Sequence, residues 1–435
     1  MIYDLIIIGS GPAGYVAAIR AGQTGLKTLV IDKKYVGGMC LNWGCIPTKS
    51  IIESAKLFKR IKIDAAEFGI SGLDANSLSF DWQQAVKRSA GIVSKLSKGI
   101  EYLWKKSGVE FLQAEAKIIS ANEVEADKRI FSAKHIIIAS GSKPKRQEMF
   151  PEAIELEDFF QLSTLPEKPL LYGRGATILE FAQFFAMLGK KPTIISSALP
   201  LIPKLDGYLD TYIMRKLKKE KIAIYTQDEV RLDKAGLHHG DSIIEYDAVI
   251  NCSLREAVFI DSDIPIDHED AYIKTNARYQ TNIPNIFAAG DVNGISYMAH
   301  AASAQGNSIV DFINGVENDT FPPYPINIYS EPEIAQLGLT EQELKTQKIE
   351  YQIKEMSLNA NGKALAEGAS EGFIRLLFET KYRQVLGVQI VAVNATDLIS
   401  EAGILMELEG TVFDLARTVH AHPTVAEVFM DVAKD

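Results

Sequence analysis

Short apolar runs recur along this chain, separated by stretches with a helical pattern. Leu5–Ile8, Thr28–Ile31 and Ile136–Ile138 hold at most one polar residue each, which is typical of strands buried on both faces of a sheet. Within 81–107, apolar residues return at three-, four- and seven-residue spacing, which indicates a helix with one apolar face. The pattern therefore predicts an α/β fold with buried strands.

A glycine-rich turn follows the first of these strands. Gly9, Gly11 and Gly14 come directly after it, and the next strand ends in Asp32. In this arrangement the first glycine allows a tight turn, the second lets a pyrophosphate approach, and the third allows a helix to pack closely on the strand. Asp32 can accept hydrogen bonds from a ribose. The segment predicts a dinucleotide site, although the fingerprint alone does not say which dinucleotide binds.

Composition and charge narrow the classes of partner. The 435 residues are 47% hydrophobic and 23% charged, and their net charge is −10, which argues against a nucleic-acid or anionic-membrane partner. From this length we expect two or three domains. Met1 leads directly into the first strand, and no apolar run approaches the roughly 18 residues of a membrane span. We therefore expect no signal peptide, no membrane segment and a cytoplasmic location.

Two of the three cysteines, Cys40 and Cys45, stand close together. Glycines on both sides allow the backbone to turn around them, and Pro47 suits the first turn of a helix. A helix N-terminus favours the thiolate form of cysteine. A metal site would need further ligands, and Cys252 has no ligand-like neighbours in the sequence. We therefore interpret the pair as a redox dithiol and expect no metal.

A histidine and a carboxylate stand together near the C-terminus. Thr424, with Glu427 three residues later, has the pattern of a capping box, so we expect a helix to begin at Thr424. His422 can pair with Glu427, which would orient its imidazole and raise its basicity. A dithiol must lose a proton before it attacks a disulfide. His422 is therefore the predicted base, whereas His420 is predicted to be structural.

These motifs resemble those of the pyridine nucleotide–disulfide oxidoreductases, and within that family those of the dihydrolipoyl dehydrogenases. The resemblance extends from Tyr3 to about Val432. The motifs that it shares are Gly9–Gly14, the stretch Gly37–Ser50 around the two cysteines, Ala289–Asp291, and His420–Thr424 together with Glu427. Together they imply an α/β protein with two Rossmann-like nucleotide-binding domains, of FAD and NAD type, and a C-terminal α/β dimerisation domain.

The resemblance also implies the limits of these domains. Residues 1–145 and 275–318 would form the FAD-binding domain, and residues 146–274 would form the inserted NAD-type domain. Residues 319–435 would form the dimerisation domain, and the prolines of Phe321–Pro325 would mark its start. We therefore expect a homodimer.

By resemblance, the dinucleotide at the first fingerprint is FAD, with the flavin ring beside Cys45. Asp291 would hold the ribityl chain, and Lys49 would pair with Glu180 close to the flavin. The residues that the resemblance implies for the FAD site are Gly9, Gly11, Pro12, Ala13, Gly14, Asp32, Lys33, Gly38, Cys40, Cys45, Lys49, Ala116, Ser140, Gly141, Gly290, Asp291, Met298, Ala299, His300 and Ala301.

The family has a second fingerprint, for NAD or NADP, and this chain departs from it. Gly173, Gly175 and Glu180 match the pattern and are the residues implied for the nicotinamide dinucleotide. Ile178 replaces the third glycine, and Ala176 replaces an aromatic residue over the nicotinamide pocket. Ser196 stands at a strand end where the family has an acid or an arginine, and Leu254 replaces a glycine that precedes an arginine. We expect Ile178 to push its helix away from the strand, and NAD use to be uncertain.

The resemblance implies an FAD-dependent dithiol oxidoreductase of the dihydrolipoyl dehydrogenase type. Its substrate would be the lipoyl-bearing protein of a 2-oxoacid dehydrogenase or glycine cleavage complex, and its acceptor NAD+. Three alternatives stay open: a glutathione-type reductase, a mercuric or other metal-ion reductase with a different electron donor or acceptor, and a redox-inert subunit of a lipoyl-enzyme complex.

Overall fold

A computed structural model describes residues 2–316 and 323–434. The chain divides into two compact units. The first contains Met1–Leu57, Ile61–Leu165 and Ser253–Phe321, and the second contains Phe58–Arg60, Pro166–Cys252 and Pro322–Asp435. The three-domain limits stay a prediction. Their expected boundary at residues 318–319, together with Phe321 and Pro322, lies outside the described residues.

Strands and helices alternate along much of the chain, as the sequence pattern predicts. The strands are β1 (Ile2–Ile8), β2 (Thr28–Asp32), β3 (Glu110–Gln113), β4 (Ala116–Ser120), β5 (Glu123–Ala126), β6 (Arg129–Ile138), β7 (Ser142–Pro144), β8 (Pro169–Gly173), β9 (Thr193–Ser196), β10 (Ala223–Thr226), β11 (Val230–Asp233), β12 (Gly236–His239), β13 (Ser242–Ile244), β14 (Ala248–Cys252), β15 (Arg255–Ala257), β16 (Asp261–Ser262), β17 (His268–Glu269), β18 (Tyr272–Ile273), β19 (Ile286–Ala288), β20 (Ile326–Ile328), β21 (Glu333–Gly338), β22 (Tyr351–Ser357), β23 (Phe373–Glu379) and β24 (Val385–Ala392). The α-helices are α1 (Pro12–Gln23), α2 (Gly38–Asn42), α3 (Cys45–Ile63), α4 (Trp82–Lys106), α5 (Leu156–Phe159), α6 (Ala176–Met187), α7 (Gly207–Lys219), α8 (Ala299–Ile313), α9 (Glu341–Gln347), α10 (Gly362–Ala366), α11 (Ala395–Glu407), α12 (Val412–Arg417) and α13 (Glu427–Ala433).

The first unit is built on an eight-stranded sheet of order β16-β4-β5-β6-β1-β2-β3, with β19 also paired to β6. Strand β1 is parallel to both β2 and β6, and β19 is parallel to β6. Leu5 and Ile7 pack with residues of α1 and α8, whereas Ile6 and Ile8 pack with residues of β4 and β5. Both faces of β1 are therefore covered, which explains its uninterrupted apolar run.

The carboxyl ends of the parallel strands in the first unit meet at one edge of the sheet. Strand β1 ends before Gly9, β2 ends at Asp32, β6 ends before Ala139 and β19 ends before Ala289. In open α/β sheets, ligands bind in the crevice at this edge. The predicted dinucleotide residues are therefore gathered where such a fold places a cofactor.

The second unit contains two principal sheets. One has four parallel strands in the order β10-β9-β8-β14, and the other has five antiparallel strands in the order β20-β21-β24-β23-β22. Helices α11, α12 and α13 bury apolar residues such as Ile399, Leu415 and Phe429 against the antiparallel sheet. The order of elements matches the predicted α/β class, with a Rossmann-type sheet followed by an interface-type domain.

The long amphipathic helix is confirmed. It spans Trp82–Lys106, and the Asp81 carboxylate caps it by accepting a hydrogen bond from the Gln84 N–H. Trp82 and Trp104 are buried core residues. Within 2–316 and 323–434, no helix is both long enough and apolar enough to cross a membrane.

Two helical glycines of the first unit provide a test of this packing. A Cβ at Gly306 in α8 would lie 2.4 Å from the Ala13 carbonyl oxygen of α1, whereas a Cβ at Gly99 in α4 would meet nothing within 4 Å. We expect Gly306→Ala to destabilise the protein by about 1–3 kcal/mol, because the two backbones must separate. Gly99→Ala should instead stabilise it by about 0.5–1 kcal/mol. Thermal unfolding measures both, and equal shifts of the same sign would contradict the packing described.

Candidate active site

The first glycine turn leaves an open space bounded by backbone. Gly9 has φ +106°, and a Cβ there would lie 2.2 Å from the Ala139 carbonyl oxygen, so only glycine fits. A Cβ at Gly14 would lie 1.9 Å from the Gly9 carbonyl oxygen, whereas one at Gly11 would meet nothing within 4 Å. Pro12 begins α1. A phosphate could therefore approach Gly11 and the positive end of α1 without meeting a side chain.

Asp32 is held beside this turn. Its Oδ2 accepts hydrogen bonds from the Ser10 N–H and the Ser10 hydroxyl, at 2.7 and 2.8 Å, and its Oδ1 accepts from the Lys34 N–H at 2.8 Å. The side chain of Lys33 points to solvent, where its Nζ lies 3.8 Å from Glu115 Oε1. Asp32 is thus held in a fixed orientation in which it could also accept from a ribose hydroxyl, and the Lys33 side chain is exposed beside it.

A second group of predicted FAD residues lies along the same sheet edge. Gly141 and Gly290 have φ values of +71° and +80°, and Met298 precedes α8, where Ala299, His300 and Ala301 form the first turn. The Asp291 side chain is only 15% exposed, and its carboxylate accepts a hydrogen bond from the Ser142 hydroxyl. The Ser140 hydroxyl donates to the Val258 carbonyl, and Ala116 is buried at the start of β4.

Asp291 is under two opposing influences. The net effect is a raised pKa, because burial outweighs the Ser142 hydrogen bond and the positive charge of Arg255, which lower it. A carboxylate in this position can accept a hydrogen bond from a hydroxyl-bearing chain such as ribityl. The open turn, the oriented Asp32 and this partly enclosed carboxylate together fit FAD.

The two cysteines lie on either side of a short break between helices. Cys40 is in α2, and Cys45 is the first residue of α3, so the predicted helix N-terminus is present. Gly38 begins α2 with φ +61°, and a Cβ there would lie 2.6 Å from the Gly11 Cα. The dithiol segment therefore packs directly on the first glycine turn.

The dithiol is in its reduced form, and its two thiols differ. The hydrogen bond between the Cys40 and Cys45 thiols, followed by burial, raises the pKa of Cys40. Cys45 is the first residue of α3, and a helix N-terminus favours the thiolate form of cysteine. Tyr15 faces the pair from α1, and its pKa is raised by burial and by the charges of both cysteines.

The predicted histidine–glutamate dyad is present in the second unit. His422 Nδ1 lies 2.9 Å from Glu427 Oε1, and the other carboxylate oxygen accepts a hydrogen bond from the Thr424 N–H. These hydrogen bonds, with the Thr424 bond first, lower the pKa of Glu427. The His422 side chain is 80% exposed, so its free Nε2 is available to a substrate or partner.

The capping box predicted here is wrong. Helix α13 begins at Glu427 with Ala426 as its N-cap, and the Thr424 hydroxyl donates to the Ala421 carbonyl instead of capping the helix. A turn at residues 425–426 runs into α13, with the Val428 N–H donating to the Val425 carbonyl, so the helix does not begin at Thr424. The Glu427 carboxylate still contacts His422 Nδ1, which is the contact that would orient the predicted base.

Sequence reasoning missed a second histidine–glutamate pair. His420 Nε2 lies 2.6 Å from Glu401 Oε1, and its Nδ1 lies 3.1 Å from the Thr418 carbonyl oxygen. The His420 side chain is only 6% exposed, which agrees with its predicted structural role. Glu401 is on α11, far from His420 in the chain, so no local spacing could have indicated the pair.

The second glycine turn differs from the first. Gly175 has φ +107°, and its N–H donates to the Leu201 carbonyl at 2.9 Å. Ser196 is fully buried, and its hydroxyl donates to the Ala198 carbonyl. Both donors are therefore used within the protein, and each would have to give up its hydrogen bond to donate to a dinucleotide.

Ile178 contributes to this difference. Its side chain is fully buried, whereas at the matching Gly14 even a Cβ would lie 1.9 Å from a carbonyl oxygen. The expected displacement of α6 by Ile178 stays a prediction. Gly173 ends β8, Ala176 begins α6, and Leu254 is exposed.

Glu180 is buried, and its Oε1 accepts a hydrogen bond from the Tyr329 N–H at 2.9 Å. Its predicted partner Lys49 belongs to the first unit and Glu180 to the second, so their ion pair stays a prediction.

A glycine turn that fits FAD and a dithiol packed on it define a flavin-dependent disulfide oxidoreductase. Residues 3–306 match the family described as pyridine nucleotide-disulphide oxidoreductase, and residues 324–433 match its dimerisation domain. The chain belongs to this family, whose members use FAD and NAD. It is an FAD-dependent oxidoreductase, and its C-terminal domain supports a homodimer.

Curated relatives align with the chain over nearly their whole length. It is 35% identical to dihydrolipoyl dehydrogenase from Mycoplasma genitalium, over 100% of the chain and 98% of the relative. It is 34% identical to dihydrolipoyl dehydrogenase from Bacillus subtilis, over 97% and 96%. The crystal structure of LpdA from Mycobacterium tuberculosis has the same fold, with a TM-score of 0.88, 21% identity, and coverage of 99% of this chain and 98% of that chain.

The state of the second turn predicts weak nicotinamide binding. Losing one hydrogen bond to a charged group costs about 1.5–3 kcal/mol, which weakens affinity roughly 10- to 150-fold. We expect NADH to bind weakly and NADPH no more tightly, because Ser196 provides neither a carboxylate for a ribose nor a cation for a phosphate. Titration of the purified flavoprotein with each nucleotide measures this, with its FAD content as the control for folding. Micromolar NADH binding would show that other contacts compensate.

Proposed function

We propose that this enzyme is a dihydrolipoyl dehydrogenase. It would oxidise dihydrolipoyl groups on the lipoyl protein of a 2-oxoacid dehydrogenase or glycine cleavage complex, with NAD+ as the acceptor, in the cytoplasm. The main support is the combination of the Cys40–Cys45 dithiol with the exposed His422–Glu427 dyad. The full-length relatives named dihydrolipoyl dehydrogenase support the same substrate class.

The proposed chemistry begins with Cys40 and Cys45 joined as a disulfide. His422 takes a proton from one substrate thiol, and the resulting thiolate attacks the Cys40 sulfur, so that Cys45 leaves as a thiolate. The second substrate thiol then loses its proton and attacks the substrate sulfur of the mixed disulfide. The substrate leaves as a cyclic disulfide, Cys40 takes a proton, and the dithiol holds the two electrons. FAD, when bound, supplies the two-electron carrier that reoxidises the dithiol.

The two cysteines have separate parts in this scheme because of their electrostatics. In this scheme Cys40, whose pKa is raised by its hydrogen bond to Cys45 and by burial, exchanges with substrate, and Cys45, at the start of α3, carries the negative charge. The base must approach from the substrate side. His422 is suited to this because one nitrogen is oriented by Glu427 and the ring is exposed.

We further propose that His422 serves the dithiol of the opposite subunit. Large apolar side chains are exposed in the part of the dimerisation domain that contains the dyad: Ile404, Leu408, Phe413 and Val419, at 67%, 75%, 53% and 92%. Burial of such residues against a second copy would offset the entropy lost on association. The dyad would then lie at the edge of the subunit interface.

The alternatives have less support. A related disulfide or metal-ion reductase with another electron donor or acceptor is favoured only by the altered second turn. Within residues 2–316 and 323–434, no group of three or more His, Cys, Asp or Glu side chains could hold a metal ion. A redox-inert subunit would have no need of the dithiol and the dyad together.

Substitution of the cysteines tests the redox role. We expect the protein to bind one FAD per chain and to develop a long-wavelength absorbance band on partial reduction, because a thiolate then lies against the flavin. Cys45→Ser should abolish the band. Cys40→Ser should show it without a reductant, because Cys45 can no longer form a disulfide. Absorbance spectra under anaerobic conditions measure this, and a band that survives in Cys45→Ser would contradict the assignment.

Substitution of the histidines tests the base. We expect His422→Gln to lower turnover of dihydrolipoamide by at least about 100-fold, the effect typical of a lost general base, with unchanged FAD content. Glu427→Gln should lower turnover by a smaller factor, because the imidazole remains and loses only its orienting charge. His420→Gln is the matched control and should affect thermal stability more than turnover. A larger loss of turnover in His420→Gln would mean that the wrong histidine was chosen.

A further inference from the structure

Arg255 is a buried cation at the redox site that sequence reasoning did not single out. It begins β15, which pairs with β7 in the first unit, and its side chain is only 15% exposed. Its Nε donates to the Ser142 hydroxyl at 2.7 Å, and one Nη donates to the Ser142 carbonyl oxygen. A guanidinium held by two hydrogen bonds to one residue has a defined orientation.

The same serine connects Arg255 to the predicted ribityl contact. The Ser142 hydroxyl accepts from Arg255 and donates to Asp291 Oδ2, and Arg255 Nε lies 3.9 Å from that oxygen. A hydroxyl has one proton to donate, and Ser142 donates it to the Asp291 carboxylate, which is therefore the acceptor. The cation, the hydroxyl and the carboxylate form one polar network.

Arg255 also lies close to the dithiol. The guanidinium carbon is 5.5 Å from the centre of the Trp43 ring, and Trp43 is in the segment between the two cysteines. Burial lowers the pKa of Arg255, and the charges of Asp291, Tyr297 and Cys45 oppose that shift. The contact with Trp43 places the guanidinium beside the segment that joins the two cysteines.

We propose that Arg255 is a positioning residue of the redox site, which favours the ionised form of Asp291 through Ser142 and stabilises negative charge on Cys45. This inference rests on the proposed redox role of Cys45. It gives a physical reason for a buried cation at this point, because an unpaired buried charge would be costly. The other titratable groups around Cys45 and Arg255 are Cys40 on α2, Tyr15 on α1, Lys49 on α3, Tyr297 before α8 and Glu155 before α5.

The Cys40→Ser variant provides the background for a direct test. In it, the long-wavelength band reports the ionisation of Cys45, so its pH dependence gives the apparent pKa of that thiol. Adding Arg255→Gln should raise this pKa by about one unit, because an opposite charge is removed. Arg255→Lys should shift it by less than half as much. A band absent from Cys40→Ser itself would contradict the redox assignment, whereas a band whose pKa is unchanged in Arg255→Gln would overturn only the present inference.

Lys143→Gln is the matched control for removal of a positive charge. Lys143 is on β7, the strand paired with β15, but its side chain is 63% exposed and pairs with Glu256. Lys143→Gln should leave the pKa of Cys45 unchanged. A pKa shift equal to that of Arg255→Gln would overturn a specific role for Arg255. If Arg255→Gln does not retain FAD, Ser142→Ala replaces it, with a smaller upward shift expected. No shift in Ser142→Ala would then overturn the proposal.

FAD retention tests the effect on Asp291. Without the cation, the pKa of Asp291 should rise, so its carboxyl takes up a proton at a higher pH and no longer accepts a hydrogen bond from the cofactor. On gradual acidification, Arg255→Gln should therefore release FAD at a higher pH than Arg255→Lys and the unmodified protein. Release at the same pH in all three would show that Asp291 does not depend on Arg255.

Discussion

The close packing of Gly14 on the Gly9 carbonyl is the contact on which the redox site depends. Because no side chain separates them, helix α1 begins directly at the edge of the sheet and its positive end faces the crevice. Gly38 then packs on Gly11, which fixes the start of α2 and with it the position of Cys40. Cofactor site and dithiol are thus placed by one set of backbone contacts.

The second glycine turn has Ile178 where the first has Gly14. There the Gly175 N–H and the Ser196 hydroxyl donate hydrogen bonds to the carbonyls of Leu201 and Ala198. The Gly175 N–H, a backbone donor that a dinucleotide could use, is thus hydrogen-bonded within the protein. The surrounding elements are nevertheless those of a Rossmann-type domain, with the parallel sheet β10-β9-β8-β14 and the apolar helix α6.

Charge is distributed unequally over the reacting groups. The pKa of Cys40 is raised by its hydrogen bond to Cys45, Cys45 starts a helix, and a buried arginine and aspartate belong to one hydrogen-bonded network in the same unit. The dyad in the dimerisation domain is exposed, and it gains its orientation from a single carboxylate. This asymmetry suits the proposed chemistry, in which one sulfur exchanges with substrate while the other retains the charge.

The sequence by itself determined the features that depend on neighbours along the chain. These include the buried strands, the long helix at Trp82–Lys106, the glycine turn, the dithiol at a helix start and the pairing of His422 with Glu427. Each follows from local spacing, turn chemistry or the apolar period. The α/β class followed from the same pattern, and motif resemblance supplied the family.

Only the tertiary structure decided contacts between residues far apart in the chain. Arg255 meets Ser142, and His420 meets Glu401, although no spacing connects the members of either pair. The start of α13 at Glu427 was also missed, because the turn before it satisfies Thr424 locally. Such contacts arise when sheet pairing and helix packing bring distant segments together, and burial then forces their polar groups to find partners.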